Sequence, residues 1–520
     1  MTGRSQRKRK QRTVAQKALR QLLLLGLAGA AVFVGVAAWF GIAYFRMPVD
    51  TVDTVEFERE LEVPPLADSE LVDGVRTFDL TMQTGETDLG QDQLTPTWGI
   101  NGSYLGPTIR ANRGEQVQFR IDNELSESTT LHWHGMHLPA EMDGGPHSMI
   151  EPGETWTPEW LVDQPAASLW YHPHPHGRTA SHVYMGLAGM FIIDGEEEAA
   201  LHLPRDYGVD DLPLIVQDRK FNNDGTLDMS SSWMQSAGVI GDTTLVNGTP
   251  GAYFDVTTET VRLRILNGSN TRPYNFAFED DRAFHIVGSD GGLLEAPVEQ
   301  RNVQLSPGER AEIVVTFEPG EEVRLQSGPT DTADQLAGGA DHLDIMQLRA
   351  GDDLGGVGEL PEELVEVDRL EETSAAQERD FALSGTAING RSMDMNRVDE
   401  VITMGDTEIW NVENVDGQTH NFHIHDVQFQ ILDIDGEEPP PHLRGWKDTI
   451  WLPPGQEFRL IMTFTDFASD EWAYMYHCHI LRHEGQGMMG QFLVVEPGES
   501  TNPDDYELDY PDHEHAGHHH

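Results

Sequence analysis

The chain carries four His-x-His pairs, which divide between two clusters near its beginning and its end. In order, the pairs are His132-Trp133-His134, His172-Pro173-His174, His423-Ile424-His425 and His477-Cys478-His479. In an extended strand, residues i and i+2 point to one face and residue i+1 points to the other. Each pair can therefore direct two imidazole rings to one place. If folding joins the two clusters, the rings of all four pairs converge.

The last pair encloses the only cysteine among 520 residues. A single cysteine excludes internal disulfides, and a cysteine that stands among several histidines is typical of a metal ligand or a nucleophile. Imidazole and thiolate ligands suit copper, iron and zinc, and a set that includes sulfur favours copper. The four pairs and the cysteine together therefore predict a copper protein.

The residues around the cysteine predict a second, separate metal centre. In an extended segment, Cys478 faces one way and its two histidine neighbours face the other. Cys478, His483 and an axial Met488, with one distant histidine, match the trigonal site of blue copper. We expect His420 to be that histidine. It lies an odd number of residues before His423 and His425, so in an extended strand it faces the opposite way from that pair. The remaining histidines suffice for one copper with two imidazoles and two coppers with three each.

A threefold repeat predicts an all-β fold. Each copy has an Asn-Gly turn, a strand in which apolar and polar residues alternate, and later a Pro-Gly turn that precedes another strand. The three marks lie at 101–102, 117–123 and 152–153 in the first copy, 247–248, 261–267 and 307–308 in the second, and 389–390, 408–414 and 454–455 in the third. With 51 Gly and 29 Pro residues spread through polar turns, the pattern is typical of Greek-key β-sandwiches.

The repeat predicts the domain organisation. We expect three sandwiches at 75–200, 205–350 and 380–497, and copper ligands only in the first and the third. The acidic, Gly-rich stretch 328–380 is interpreted as a long linker or surface loop. The acidic and His-rich tail, 498–520, could bind metal or be disordered.

The N-terminal residues, 1–46, are interpreted as a targeting element. The segment before Pro48 carries nine basic residues and no acidic one, and an apolar run from 22 to 45 is long enough to span a bilayer. Positive residues stay inside, so the bulk of the chain is expected outside the cytoplasm, anchored by a transmembrane helix. Secretion after cleavage of a signal segment is the alternative.

The formal net charge of −54 argues against nucleic acid as a partner, because an acidic surface repels phosphates and attracts cations. Adaptation to salt, or solubility outside the cell, explains the same charge without a partner.

The four motifs resemble those of the three-domain multicopper oxidases, which include the laccases, and most resemble those of the bacterial copper-efflux (cuprous) oxidases. The strings that carry the resemblance are HWHG (132–135), WYHPHPHG (170–177), HNFHIHDVQF (420–429) and HCHILRHEGQGMMG (477–490). The similarity extends over about 75–497. It implies three cupredoxin-like domains, four copper ions, O2 as electron acceptor, and a small-molecule or metal-ion reductant.

The resemblance also implies a role for each ligand. The type 1 copper would be bound by His420, Cys478, His483 and Met488; the type 2 copper by His132 and His423; one type 3 copper by His134, His172 and His479; and the other by His174, His425 and His477. Asp143 and Glu484 match the two acids that the family places near the cluster. Carboxylates suit proton delivery, because the reduction of O2 to water consumes protons.

Two questions stay open at the level of sequence. The reductant could be Cu(I), another metal ion or a phenol, since the acidic surface favours metals, whereas a Met-rich insert typical of the efflux oxidases is missing. The function could also be that of a copper-free scaffold, like the family members recruited to cell division. Those members lose the ligands, whereas this chain keeps them all. A copper nitrite reductase is disfavoured, because it lacks the paired histidines of a trinuclear centre.

Overall fold

The computed structural model describes residues 7, 9–10, 16–17, 19–26, 33, 35–36, 47–231, 237–356, 359–508 and 510. The chain divides into two compact units, 1–49 and 50–520. In the first unit, residues 19–26 are helical. Among the described residues, no helix is both long enough and apolar enough to cross a lipid bilayer. Most of the expected span, 22–45, lies outside them, and the predicted transmembrane or signal segment is not confirmed. The end of the His-rich tail, 511–520, lies outside them too.

The second unit is built of β-strands, which confirms the predicted fold class, and its described strands form three pairs of sheets. A short strand, β1 (Arg59–Glu60), comes first. The strands of the first sandwich are β2 Ser69–Val72, β3 Val75–Thr87, β4 Thr95–Ile100, β5 Ile109–Asn112, β6 Gln116–Asn123, β7 His132–His134, β8 Thr155–Trp156, β9 Glu159–Leu161, β10 Ala167–His172 and β11 Gly189–Asp194. One sheet has the order β2-β3-β6-β8, with β4 beside β3 and β9 beside β6, and the other has the order β5-β11-β10-β7.

The second sandwich has the larger sheets. Its strands are β12 Asp211–Arg219, β13 Thr243–Val246, β14 Thr249–Pro250, β15 Ala252–Thr258, β16 Thr260–Asn267, β17 Tyr274–Phe278, β18 Phe284–Ser289, β19 Gly292–Gln300, β20 Asn302–Leu305, β21 Arg310–Thr316, β22 Glu322–Ser327 and β23 Leu343–Gly355. The strand orders are β14-β13-β12-β16-β21-β18-β19 and β1-β15-β23-β22-β17-β20. The first strand of the unit, β1, therefore belongs to the middle sandwich.

The third sandwich has two sheets of five strands, with the orders β25-β24-β27-β31-β29 and β26-β33-β32-β28-β30. Its strands are β24 Ala375–Ser384, β25 Ala387–Ile388, β26 Glu400–Thr403, β27 Thr407–Asn414, β28 His420–Ile424, β29 Phe429–Ile434, β30 Thr449–Leu452, β31 Glu457–Thr463, β32 Tyr474–His477 and β33 Met489–Val495. Short α-helices are α1 Thr179–Met185, α2 Glu196–Ala199 and α3 Leu481–Gly485, and 3-10 helices are Ala140–Met142, Glu372–Ser374, Pro441–Leu443 and Pro503–Asp505.

The predicted repeat has a structural basis in the three Asn-Gly turns. Asn101, Asn247 and Asn389 all adopt positive φ angles, of 56°, 52° and 52°, a conformation that Asn tolerates better than most residues. In each turn the Asn side chain accepts a backbone N–H of a neighbouring strand at 2.7–2.8 Å. It also donates, at 2.8–2.9 Å, to the backbone carbonyl two residues before that N–H. In each copy the strand that the Asn side chain contacts pairs in parallel with the alternating strand: β3 with β6, β12 with β16 and β24 with β27.

Two parts of the chain differ from the sequence interpretation. The stretch 328–380 is not a linker throughout, because β23 occupies its middle and pairs with β15 and β22. Segment 50–74, to which no element was assigned, contributes β1, which pairs in parallel with β15, and β2, which pairs with β3. The acidic composition of the first stretch concealed the apolar residues Leu343, Ile345 and Leu348, which are buried in the sheet.

Candidate metal centre

Neighbouring strands bring the His-x-His pairs together two by two. In the first sandwich β7 is antiparallel to β10, with His132 opposite His172. In the third sandwich β28 is antiparallel to β32, with His423 opposite His477. Opposite residues on paired strands present their side chains on the same face. Each sandwich therefore offers a patch of four histidines.

The two patches interleave in the space between the first and third sandwiches. The rings of His134 and His423 stack with 3.7 Å between their centroids, and those of His132 and His425 with 3.9 Å. Nitrogen atoms from the two sandwiches also face each other. Nε2 of His477 lies 3.1 Å from Nε2 of His174, and Nε2 of His479 lies 3.4 Å from Nε2 of His172. All the rings of the four pairs are buried.

The imidazole nitrogens that face this space have the protonation state and the free lone pairs that metal cations need. Burial, and then repulsion from neighbouring rings, lowers the pKa well below the usual value for His134, His172, His174, His423, His425 and His479. Neutral imidazoles expose a lone pair for a metal. Nε2 of His132, Nδ1 of His134 and Nε2 of His423 are buried without a hydrogen-bond partner. Because unpartnered buried polar atoms are costly, these atoms fit metal ligands.

The opposite nitrogen of several rings is held by the protein, which fixes the tautomer. His132 donates from Nδ1 to the carbonyl of Asp143 at 2.9 Å, and His423 donates from Nδ1 to the carbonyl of Asp448 at 2.9 Å. His172 likewise donates to the carbonyl of Pro173 at 2.8 Å. In these three rings Nε2 is left free to face the space between the sandwiches.

A second group of candidate ligands lies on the other side of the segment that contains Cys478. The Sγ atom of Cys478 is 3.8 Å from Nδ1 of His420 and 3.7 Å from Nδ1 of His483, and the two nitrogens are 3.1 Å apart. Met488 is buried and its carbonyl accepts the amide of Cys478 at 3.1 Å. The structure therefore brings the thiol and two imidazoles together. Burial raises the pKa of the Cys478 thiol to about 12, and a bound cation would favour the thiolate.

Asp143 and Glu484 both lie against the histidine cluster. Oδ2 of Asp143 is 2.8 Å from Nδ1 of His425, and Gly144, at φ +73°, lets this loop pass so close to β7 that a Cβ would lie 1.8 Å from the carbonyl oxygen of Leu131. Oε2 of Glu484 is 3.6 Å from Nδ1 of His477. Burial raises the pKa of Glu484 to about 8.

Three family models of multicopper oxidase domains match residues 81–198, 219–323 and 364–498. The chain belongs to the multicopper oxidase family. This confirms the resemblance seen in the motifs, and the family implies copper binding.

Curated relatives and solved structures of multicopper oxidases span most of the chain. A multicopper oxidase named mco from Staphylococcus epidermidis is 36% identical over 84% of this chain and 93% of the relative. The cell division protein FtsP from Escherichia coli is also 36% identical, over 84% of this chain and 93% of its own. Among solved structures, the laccase-like multicopper oxidase CueO from Ochrobactrum sp. superposes with a TM-score of 0.78 and 36% identity, covering 84% of this chain and 100% of that one.

Several residues of this multicopper oxidase contact the site but carry no sequence signal. Asp448 and Thr449 lie behind the histidine cluster, where Nε2 of His134 is 3.1 Å from Oδ1 of Asp448. Asp416 lies beside the sulfur site, with Oδ1 at 3.3 Å from Nε2 of His420. None of these three residues lies within a His motif, and Asp448 is distant in sequence from His134, so only the fold identifies them.

The histidines near the motifs, but outside the ligand pattern, bind other partners. His137 lies between Asp426, at 2.7 Å, and Asp466, at 2.6 Å. The side chains of His147 and His182 contact Gln491 and Thr129, at 2.7 and 2.9 Å.

We expect the Cys478 thiol to be unreactive in the folded, metal-free protein. The side chain is fully buried, and a pKa of about 12 lowers the thiolate fraction at pH 8 about 10³-fold relative to an exposed thiol. A disulfide reagent should label one thiol per chain in denaturant and essentially none without it. Rapid labelling of the folded protein would contradict the buried position.

Proposed function

We propose that this protein is a copper-dependent oxidase that couples one-electron oxidation of a reductant to the four-electron reduction of O2 to water. Copper bound at these sites would supply the one-electron redox chemistry. The observation that carries the proposal is the segment His477-Cys478-His479, in which a thiol faces the sulfur site while both imidazoles face the histidine cluster. One tripeptide therefore connects the two sites covalently.

The donor sets support four copper ions per chain. We assign the type 1 ion to His420, Cys478, His483 and Met488, the type 2 ion to His132 and His423, and the two type 3 ions to His134, His172 and His479 and to His174, His425 and His477. Two of the close donor groups in the structure, His174/His425/His477 and His420/Cys478/His483, support this assignment, and a third joins His132 and His423 with His425. Thiolate with two imidazoles is the donor set of blue copper.

Asp143 and Glu484 are the groups that we propose to deliver protons to the cluster. Each carboxyl group lies within 4 Å of a histidine ring of the cluster, Asp143 beside His425 and Glu484 beside His477. Asp143 follows the 3-10 helix Ala140–Met142, whereas Glu484 lies in α3, so two protonation routes can serve the same space. A positioned carboxyl group contributes about 10²–10⁴-fold to such a step.

The reductant should meet the sulfur site at His420. The carboxylate of Asp416, which is partly exposed, contacts Nε2 of this ring, and a carboxylate at this edge favours a cationic reductant such as Cu(I) or another metal ion. Phenolic compounds are the second candidate, which the name of the Ochrobactrum relative, with oxidase activity towards lignin model compounds, supports. We propose that the reaction takes place outside the cytoplasm, by a protein that is either anchored in the membrane or secreted.

A copper-free scaffold is the alternative function, and the similarity to FtsP supports it. The presence of every proposed ligand favours the oxidase, because a scaffold has no need for unpartnered imidazole nitrogens in a buried space.

Copper analysis distinguishes the two functions. We expect the protein reconstituted with copper and freed of loosely bound metal to retain four ions per chain and to be blue. Metal analysis together with visible absorption measures both properties. One copper or none per chain would exclude the oxidase and leave the scaffold.

The replacement Cys478→Ser should remove the sulfur site and leave the histidine cluster intact. The variant loses the only thiolate and with it the blue colour, while every histidine of the cluster remains, so three copper ions should still bind. Oxygen consumption with any reductant should fall to background, because the covalent connection through the sulfur is lost. Substantial activity in this variant would show that electrons enter by another route.

Replacement Asp143→Asn tests proton delivery. The amide keeps the size of the side chain and an oxygen that can accept from His425, but it cannot give up a proton. Stopped-flow traces should show normal reduction of the blue site by substrate and reoxidation by O2 slowed about 10²-fold or more. Glu141→Gln, at an exposed carboxylate two residues away, is the matched control and should behave like the parent. Slow reduction with normal reoxidation would place Asp143 in reductant binding instead.

A further inference from the structure

The second sandwich contributes no histidine to the two sites, yet one of its side chains reaches the cluster. Arg310, the first residue of β21, is almost completely buried. Its guanidinium binds both carboxylate oxygens of Asp448 in the third sandwich, Nη1 to Oδ1 at 2.7 Å and Nη2 to Oδ2 at 2.6 Å. This is the bidentate arrangement that makes arginine–carboxylate pairs strong and directional.

The other N–H groups of Arg310 fix the guanidinium in the frame of the molecule. Nε donates to the carbonyl of Ser168 in β10 at 2.9 Å, Nη2 to the carbonyl of Asp290 at 2.9 Å, and Nη1 to the carbonyl of Gly308 at 3.1 Å. With the two bonds to Asp448, all five donors of the group are used. One buried side chain thus joins all three sandwiches.

Asp448 in turn holds two rings of the cluster that come from different sandwiches. Its Oδ1 lies 3.1 Å from Nε2 of His134, and its backbone carbonyl accepts Nδ1 of His423 at 2.9 Å. The hydroxyl of the next residue, Thr449, lies 3.2 Å from both nitrogens. The two rings are stacked, with only 8° between their planes.

This arrangement imposes opposite tautomers on the two stacked rings. His134 donates from Nε2 and so presents Nδ1 to the cluster, whereas His423 donates from Nδ1 and presents Nε2. Both inward atoms are buried and without a hydrogen-bond partner. Without a fixed acceptor, each ring could flip or change tautomer and turn its N–H toward the metal.

Asp448 is close enough to these two rings to be considered a ligand itself. Its charge, however, is already neutralised by Arg310, and both of its oxygens are engaged by the guanidinium. The geometry therefore favours an orienting role over coordination.

We propose that Arg310 is a positioning residue of the histidine cluster. By holding Asp448, it orients His134 and His423. The second sandwich, which provides no ligand, thereby influences the metal affinity of the cluster between the first and third sandwiches. The inference rests on the proposed copper cluster.

The test is Arg310→Gln, with copper binding followed at two sites in one sample. We expect type 2 copper, whose proposed ligand His423 is held by Asp448, to bind about 10–100-fold more weakly, the usual effect of removing a partner behind a ligand. Titration with copper under electron paramagnetic resonance measures this affinity. Blue absorption of the sulfur site, which Arg310 does not contact, should saturate as in the parent.

Arg264→Gln is the matched control. Arg264 is an equally buried arginine of the same sandwich, bound to Asp211 at 2.5 Å and to Ser168 at 3.0 Å, but it contacts none of the proposed ligands. It should reproduce any general loss of stability without the change in type 2 affinity. Equal weakening in both variants would overturn the proposal, as would unchanged type 2 affinity in Arg310→Gln.

Asp448→Asn tests the same proposal if Arg310→Gln does not fold. This change keeps the side-chain size and removes the charge that fixes the carboxylate on the guanidinium, so type 2 affinity should fall while the blue site is retained. Unchanged affinity here would also contradict the proposal. A parent protein that binds no copper would instead refute the proposed function, which keeps the two failures distinguishable.

Discussion

The structure depends on one constraint: the imidazole rings of four histidine pairs share a buried space, where positive charge on a ring is disfavoured. A charged ring there would be desolvated and repelled by its neighbours, and both effects lower the pKa values of His134 and His425. Neutral rings still carry one N–H each, which must find an acceptor away from the centre. The backbone carbonyls of Asp143, Asp448 and Pro173 meet this demand. The loops that supply them are therefore as much a part of the site as the histidines.

Much of the site could be predicted, because the alternation of side chains along a strand is a local property. The sequence places Cys478 on one face and its neighbours on the other, and the structure has the thiol beside His483 and the ring of His479 beside His172. The direction of His420, opposite to that of His423 and His425 along an extended strand, is equally local, and the ring lies beside Cys478. Turn chemistry at the Asn-Gly positions likewise marked the repeat, since few residues tolerate the conformation observed there.

What could not be predicted depends on contacts between distant segments. Arg310 and Asp448 are 138 positions apart, and neither belongs to a pattern that a strand or a turn would impose. The strand at 343–355 was missed because its composition is dominated by its acidic surroundings, whereas its burial depends on partners in β15 and β22. Buried ion pairs of this kind are not encoded by periodicity, and only the packing of sandwiches against each other reveals them.

The separation of the ligands along the chain has a consequence for biosynthesis. His174 and His477, whose nitrogens face each other, lie 303 residues apart. At about 5–20 residues per second of synthesis, the four histidines of the first sandwich therefore wait on the order of 15–60 s before their counterparts emerge. During that interval they would form half of the proposed site, open to any transition metal that binds imidazole. Because affinity alone does not select the metal, the compartment in which the last strands fold would decide which ion the proposed site encloses.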